Sequence, residues 1–156
     1  MWEGLSAPPV DGRQSETALM IARGVRRLLR ARGFSSLTEL PLTDGHRADI
    51  AAVNRDGEVL IVEVKSSAAD FRADRKWRDY AACCDRLYFA ISERTPAELI
   101  PLEAGLIIAD SFGAEIVREA ELQRMAPASR RELLLRFAQA AADRLHRLAD
   151  PVAALE

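Results

Sequence analysis

Cysteine is nearly missing from this chain. Its only two, Cys83 and Cys84, are adjacent, so a bridge between them would be strained. No Cys-x-x-Cys or Cys/His zinc spacing exists, and the only histidines, His46 and His146, are too distant in sequence to form a local metal motif. Both thiols are therefore expected to be buried. There is no signal peptide, no internal repeat and no apolar run of the roughly 18 residues that a membrane span needs. A soluble, cytoplasmic protein with no membrane partner is expected. An excess of basic charge is also lacking. The 22 Lys and Arg against 24 Asp and Glu leave a formal charge of −2, which argues against a non-specific nucleic-acid coat but leaves room for a local basic patch. No basic strand interleaved with aromatics offers a stacking platform for single strands.

What remains is ordinary for a globular domain: 49% hydrophobic and 29% charged over 156 residues, enough for one core. Residues 1–12, with Pro8, Pro9 and Gly12, look like a flexible arm, and 13–156 like a single domain. Residues 15–32 have helical periodicity, with Ala18, Ile21, Val25, Leu28 and Leu29 on one stripe and Arg23, Arg26, Arg27 and Arg30 on another. Strands are predicted over 34–42, 46–53, 59–65 and 86–91, the last apolar enough to be central. A helix is expected from Ser66 to about Cys84, and a hairpin over 106–117 that could serve a homodimer. Ser129 and Glu132 form a capping box for a final helix with Leu133, Leu134, Phe137, Ala141, Leu145 and Leu148 on its buried side, ended by Asp150-Pro151. This order predicts an α/β domain with a mixed central sheet flanked by helices.

The chemistry is concentrated in Asp49 and Glu63-Val64-Lys65. Asn54-Arg55-Asp56-Gly57-Glu58 suits a three-residue hairpin loop with glycine left-handed. If Asn54 pairs with Glu58, Asp49 falls opposite Glu63, and Arg47 opposite Lys65. Side chains directly opposite have Cβ atoms roughly 4.5–5.5 Å apart, where like charges destabilise a sheet. Glu63 also sits in the apolar run Leu60 to Val64, where an unpaired carboxylate is costly. A bound cation is the simplest reason for such a pair, and a neighbouring cationic rim of Arg47 and Lys65 suits a polyanion.

The order α-β-β-β-α-β, with Asp on the second strand and Glu-x-Lys on the third, resembles the restriction-endonuclease-like core of the PD-(D/E)xK nuclease superfamily, here with an added hairpin and C-terminal helix. The resemblance implies that Asp49 and Glu63 ligate Mg2+ (or Mn2+), that the Val64 carbonyl contributes, and that Lys65 is catalytic. Ala48 stands where the superfamily's name has Pro. A narrower resemblance rests on Arg47-Ala48-Asp49, on Glu63 to Ser67, on Asp70 to Trp77, on Tyr80 and on Cys84 to Ala90. Together these stretches are similar to the MmcB family of bacterial DNA repair proteins, with His46 where a second arginine beside Arg47 is expected. That resemblance implies DNA as partner, damaged or branched, and substrate contact by Lys76 and Tyr80.

Further candidates follow. Glu39, on the strand beside Asp49, or Glu16, in the first turn of the first helix, could be a third acid; a first-turn Glu otherwise serves the helix dipole. Arg23 and Arg27 could grip phosphates, or belong to a solvated helix face. Asp74 and Lys76 suit a solvated charge cluster, and Trp77 a core position. The sequence therefore points to a DNA repair protein with a nuclease-like, magnesium-dependent site. The competing readings are a non-catalytic DNA-binding or scaffold module on the same fold and an RNA-processing nuclease.

Overall fold

The computed structural model describes residues 15–74 and 76–152, so the arm expected over 1–12 lies outside the described residues. Helix α1 (Glu16–Ala31) starts where the Ser15 hydroxyl accepts a hydrogen bond from the Ala18 N–H at 3.1 Å. Its apolar stripe buries Ile21, Val25 and Leu29, and Gly33, at φ 86°, turns the chain out of the helix. Strands β1 (Ser35–Pro41), β2 (Arg47–Val53) and β3 (Val59–Val64) follow. Two short helices, α2 (Ala68–Ala73) and α3 (Trp77–Ala81), lead to β4 (Arg86–Ile91). The chain ends with β5 (Gly105–Ala109), β6 (Ala114–Arg118) and α4 (Pro127–Ala149).

The six strands form one sheet in chain order, β1-β2-β3-β4-β5-β6. Pairing is antiparallel except for β3–β4 and β4–β5, so the sheet is mixed, as expected, and β4 is interior. Strand alternation divides the core. Leu60, Val62, Tyr88 and Ala90 pack with Ile21, Val25 and Leu29 of α1. Val59, Ile61, Phe89 and Ile91 pack on the other face with Trp77 and Leu133. There Phe71 and Trp77 meet the Phe89 ring edge-on at 5.4 and 5.6 Å, which places Trp77 in the core. Among the described residues no helix is long and apolar enough to cross a membrane.

Three expectations are corrected. The helix expected over 66–84 is broken: Asp74 is extended (φ −83°, ψ 110°), and its Oδ1 accepts the Lys76 N–H at 2.9 Å. A short acidic side chain that bonds local backbone competes with helix continuation. The capping box at Ser129 and Glu132 does not form. The helix has already begun at Pro127, which favours a first turn, and Glu132 pairs instead with Arg136 at 3.7 Å. Leu145 is 67% exposed; its neighbour Arg144 is what this turn sends to the sheet, donating to the Glu39 carbonyl at 3.1 Å.

Helix α4 is fastened by one buried carboxylate. Asp85, just before β4, accepts N–H bonds from Val59 (2.8 Å) and Met125 (2.9 Å) and a two-pronged contact from Arg130 (2.6 and 2.7 Å). Burial pushes its pKa up, but the Arg130 guanidinium and the two backbone donors outweigh that and hold it below the ordinary value. A depressed carboxyl stabilises the fold above its unfolded pKa and loses that contribution as pH falls through the folded one. Arg130→Ala should therefore destabilise the protein at neutral pH, with the roughly 3–5 kcal/mol of a fully buried pair as upper bound. Urea denaturation from pH 7 down to acid should show the gap between wild type and variant closing.

Candidate active site

Register along the β2–β3 hairpin places the two acids. Ile50 pairs with Val62, Ala51 with Ile61 and Val53 with Val59, around a loop in which the Asn54 N–H donates to the Glu58 carbonyl and Gly57 has φ 82°. The next pair outward is Asp49 and Glu63, as expected from the loop sequence. Backbone pairing stops there and the side chains take over. Asp49 Oδ2 accepts from the Val64 N–H at 2.8 Å, and Glu63 Oε1 accepts from the Asp49 N–H at 3.3 Å.

Their carboxyl groups lie within hydrogen-bonding reach of each other. Glu63 is buried in the interior of the sheet. Burial, and then the negative charge of Asp49, push its pKa well above the ordinary value. Burial also raises Asp49, against the opposing pull of its bonds to Glu63 and Val64 and of nearby Lys65. The pair resists full ionisation unless positive charge joins it.

The acids lie in a cleft of about 1060 Å³ that α1 borders on one side with Arg23, Arg26, Arg27 and Arg30, and that Asp74, Lys76 and Tyr80 border on the other. Lys65 and Val64 belong to the same lining. The cationic rim expected from Arg47 and Lys65 is absorbed by local acids. Lys65 is buried and its Nζ lies 2.7 Å from Asp74 Oδ2. Arg47 Nε pairs with Glu39 Oε2.

Glu39 reaches the cleft in an unusual way. Its neighbours Thr38 and Leu40 pair with Ile50 and Ala48, so it stands opposite Asp49, yet its backbone is left-handed at φ 53°. Such a conformation costs a non-glycine residue about 1–3 kcal/mol. Arg144 from α4 holds its carbonyl, and its carboxylate engages Arg47. Glu16 is exposed and is not among the cleft-lining residues. Among the described residues no three His, Cys, Asp or Glu side chains are close enough to hold a metal together. Of the two third-acid candidates considered from sequence, Glu39 lines the cleft beside Asp49 and Glu63, and Glu16 does not.

The arginines of α1 divide into two kinds. Arg26 donates to the Ser36 hydroxyl and carbonyl (3.0 and 3.1 Å), and Arg27 to the Phe112 carbonyl (3.1 Å). Arg23 and Arg30 make no such bond among the described residues and keep their donors for solvent or ligand. Lys76 is exposed; the Tyr80 hydroxyl donates to the Arg47 carbonyl at 3.2 Å. Burial, together with the surrounding acids, raises the Tyr80 phenol far above its ordinary value, so it acts as a neutral donor. Sequence reasoning missed Asp74 as the partner of Lys65. The available signal was an aspartate, a poor interior helix residue, in the middle of the predicted helix.

A family model described as DNA repair protein MmcB-like matches residues 6–152. Among solved structures, the SPO1766 protein of unknown function from Silicibacter pomeroyi is 47% identical, with 88% of this chain and 94% of that one covered and a TM-score of 0.85. SfsA from Pyrococcus furiosus, in complex with Ca2+, matches at 15% identity over 64% of this chain and 59% of that one, with a TM-score of 0.33, too low to bear on function. No curated protein matches.

The raised pair has a consequence for stability. Between the unfolded and folded carboxyl pKa values the native state holds more protons, so stability falls as pH rises through that window. In metal-free buffer near pH 8, Glu63→Gln or Asp49→Asn should melt above wild type, by roughly 2–4 °C per kcal/mol of repulsion relieved. Both amides keep an oxygen for the backbone N–H. Differential scanning calorimetry across pH checks this, and the advantage should vanish in acid.

Proposed function

The chain belongs to the MmcB-like DNA repair protein family, and from that premise we propose that its cleft is a metal-dependent, nuclease-like site that engages DNA phosphodiesters and hydrolyses them. The observation that carries this reading is the buried pair Asp49 and Glu63, which disfavours its own ionisation inside a cleft bordered by arginines. Mg2+, with Mn2+ as substitute, suits these donors, since it takes oxygen ligands and needs only one or two protein carboxylates beside water and substrate oxygens. Asp49 and Glu63 would hold it, with the Val64 carbonyl as a further oxygen. When bound, such a cation polarises a phosphate and lowers the pKa of a bound water.

The remaining roles belong to the chain's own side chains. Lys65, kept in place by Asp74, supplies positive charge to a phosphate oxygen entering the cleft. Arg23 and Arg30 hold the DNA backbone from α1, and Lys76 and Tyr80 border the opposite side. Damaged or branched DNA, in keeping with a repair role, is the proposed substrate. One observation favours a non-catalytic DNA-binding module instead: each carboxylate already accepts a backbone N–H, and Lys65 already has its counter-charge.

Cleavage separates the two readings. With Mg2+ and a panel of duplex, nicked, flap, crosslinked and single-stranded DNA, wild type should cut at least one substrate. Asp49→Asn and Glu63→Gln should abolish cutting while leaving circular dichroism unchanged. Asp74→Asn should lower the rate by about tenfold or more through a mispositioned Lys65. A chain that binds these substrates yet cuts none, with or without the substitutions, supports the binding module.

Salt dependence tests whether α1 touches the DNA backbone. Every arginine–phosphate pair removed should reduce the slope of log affinity against log salt by about 0.9 on duplex DNA. Arg23→Ala combined with Arg30→Ala should thus flatten it by about 1.8; an unchanged slope would exclude α1 from the interface.

A further inference from the structure

The start of α4 forms a second concavity, of about 590 Å³, lined by Met125, Pro127, Leu134 and Leu135 together with Arg124, Arg130 and Arg131. It lies at the end of β3 opposite the acid pair. Asp85, which fixes Met125 and Arg130, bonds Val59 at the start of β3, whereas Asp49 bonds Val64 at its end. Five residues of strand put roughly 15–20 Å between the two places.

Three features distinguish this groove from an ordinary solvated helix face. Its apolar floor is only partly covered: Met125 is buried, but Leu135 is 54% exposed. Its walls carry charge of one sign, since the stretch 124–131 has three arginines and no acid. Arg130 is neutralised by Asp85 beneath it, while Arg124 and Arg131 are exposed and form no ion pair among the described residues. In addition, α4 opens at Ala126 and Pro127 without a side-chain cap, which leaves first-turn N–H groups facing outward. The Asp85 contacts hold the base of the groove in a fixed shape, so an occupant need not organise it on binding.

An apolar slot walled by unpaired arginines matches a ligand that is acidic and apolar at once. Duplex DNA has the charge but no side chain to fill the slot. We infer that this groove docks an acidic, apolar-tipped peptide segment of a partner protein, with carboxylates against Arg124 and Arg131 and an apolar side chain between Leu134 and Leu135. The position leaves the main cleft open, so a partner could tether this protein while the cleft engages its own ligand. The inference does not depend on whether the cleft cuts DNA.

The test uses the full chain and a fluorescein-labelled peptide of six aspartates followed by Leu-Phe, read by anisotropy. Two control peptides replace either the aspartates by lysines or Leu-Phe by Ser-Ser. The acidic apolar peptide should bind saturably and both controls at least about tenfold more weakly. Arg124→Glu with Arg131→Glu, and separately Leu135→Asp, change exposed positions and should each weaken binding by about tenfold or more with the melting curve preserved. Glu63→Gln should leave it unchanged. No saturable binding by about 1 mM, or equal binding by all variants, overturns the inference. So does a loss that falls on duplex DNA affinity, or on a dimer seen in sedimentation, since the groove would then serve nucleic acid or a second copy of the chain.

Discussion

The reciprocal embrace of Asp49 and Glu63 is the constraint around which the rest is arranged. Backbone pairing between β2 and β3 reaches Ile50 and Val62 and then gives way to side chains: the Asp49 carboxylate takes the Val64 N–H, and the Glu63 carboxylate takes the Asp49 N–H. The strands separate where the acids sit, and the cleft begins at that separation. A sheet closed by two apolar residues would have been less troubled electrostatically. Here neighbouring charges are balanced locally, Lys65 by Asp74 and Arg47 by Glu39. The acid pair has Lys65 nearby, but that pull does not offset burial and the mutual repulsion of the two acids.

The two ends of β3 solve opposite electrostatic problems. At its start, Asp85 is also buried, but it gathers an arginine and two backbone donors, so its charge is favoured and it binds α4 to the sheet. At its end, Glu63 meets another acid and its charge is disfavoured. One carboxylate stabilises the fold and the other burdens it: burial and a second acid raise Glu63, whereas an arginine and two backbone donors outweigh burial at Asp85. Gly24 belongs to the same framework. A Cβ there would lie 2.0 Å from the Asp110 carbonyl oxygen, so only glycine lets α1 close on the β5–β6 turn and form the cleft wall.

What the sequence disclosed was whatever local rules decide. The loop from Asn54 to Glu58 specifies its own register, and register alone puts Asp49 opposite Glu63. Period-two and helical patterns located all six strands and the outer helices. What stayed hidden depended on contacts between distant segments. The Asp85–Arg130 pair joins residues 45 positions apart, and no spacing rule announces it. The left-handed Glu39 is held by Arg144 from the far end of the chain. Asp74 looked like a solvated helix residue because its partner, Lys65, precedes the helix. Ser129 and Glu132 had the right spacing for a cap, but Pro127 had already started the turn.

Strand order that follows chain order carries one last implication, for the route by which the molecule assembles. Both acids belong to a single hairpin closed by a short bend, so bringing them together closes only a short loop of chain. Covering that hairpin with α1 and the second helical layer dries the pair, and drying two like charges favours uptake of a proton or a cation.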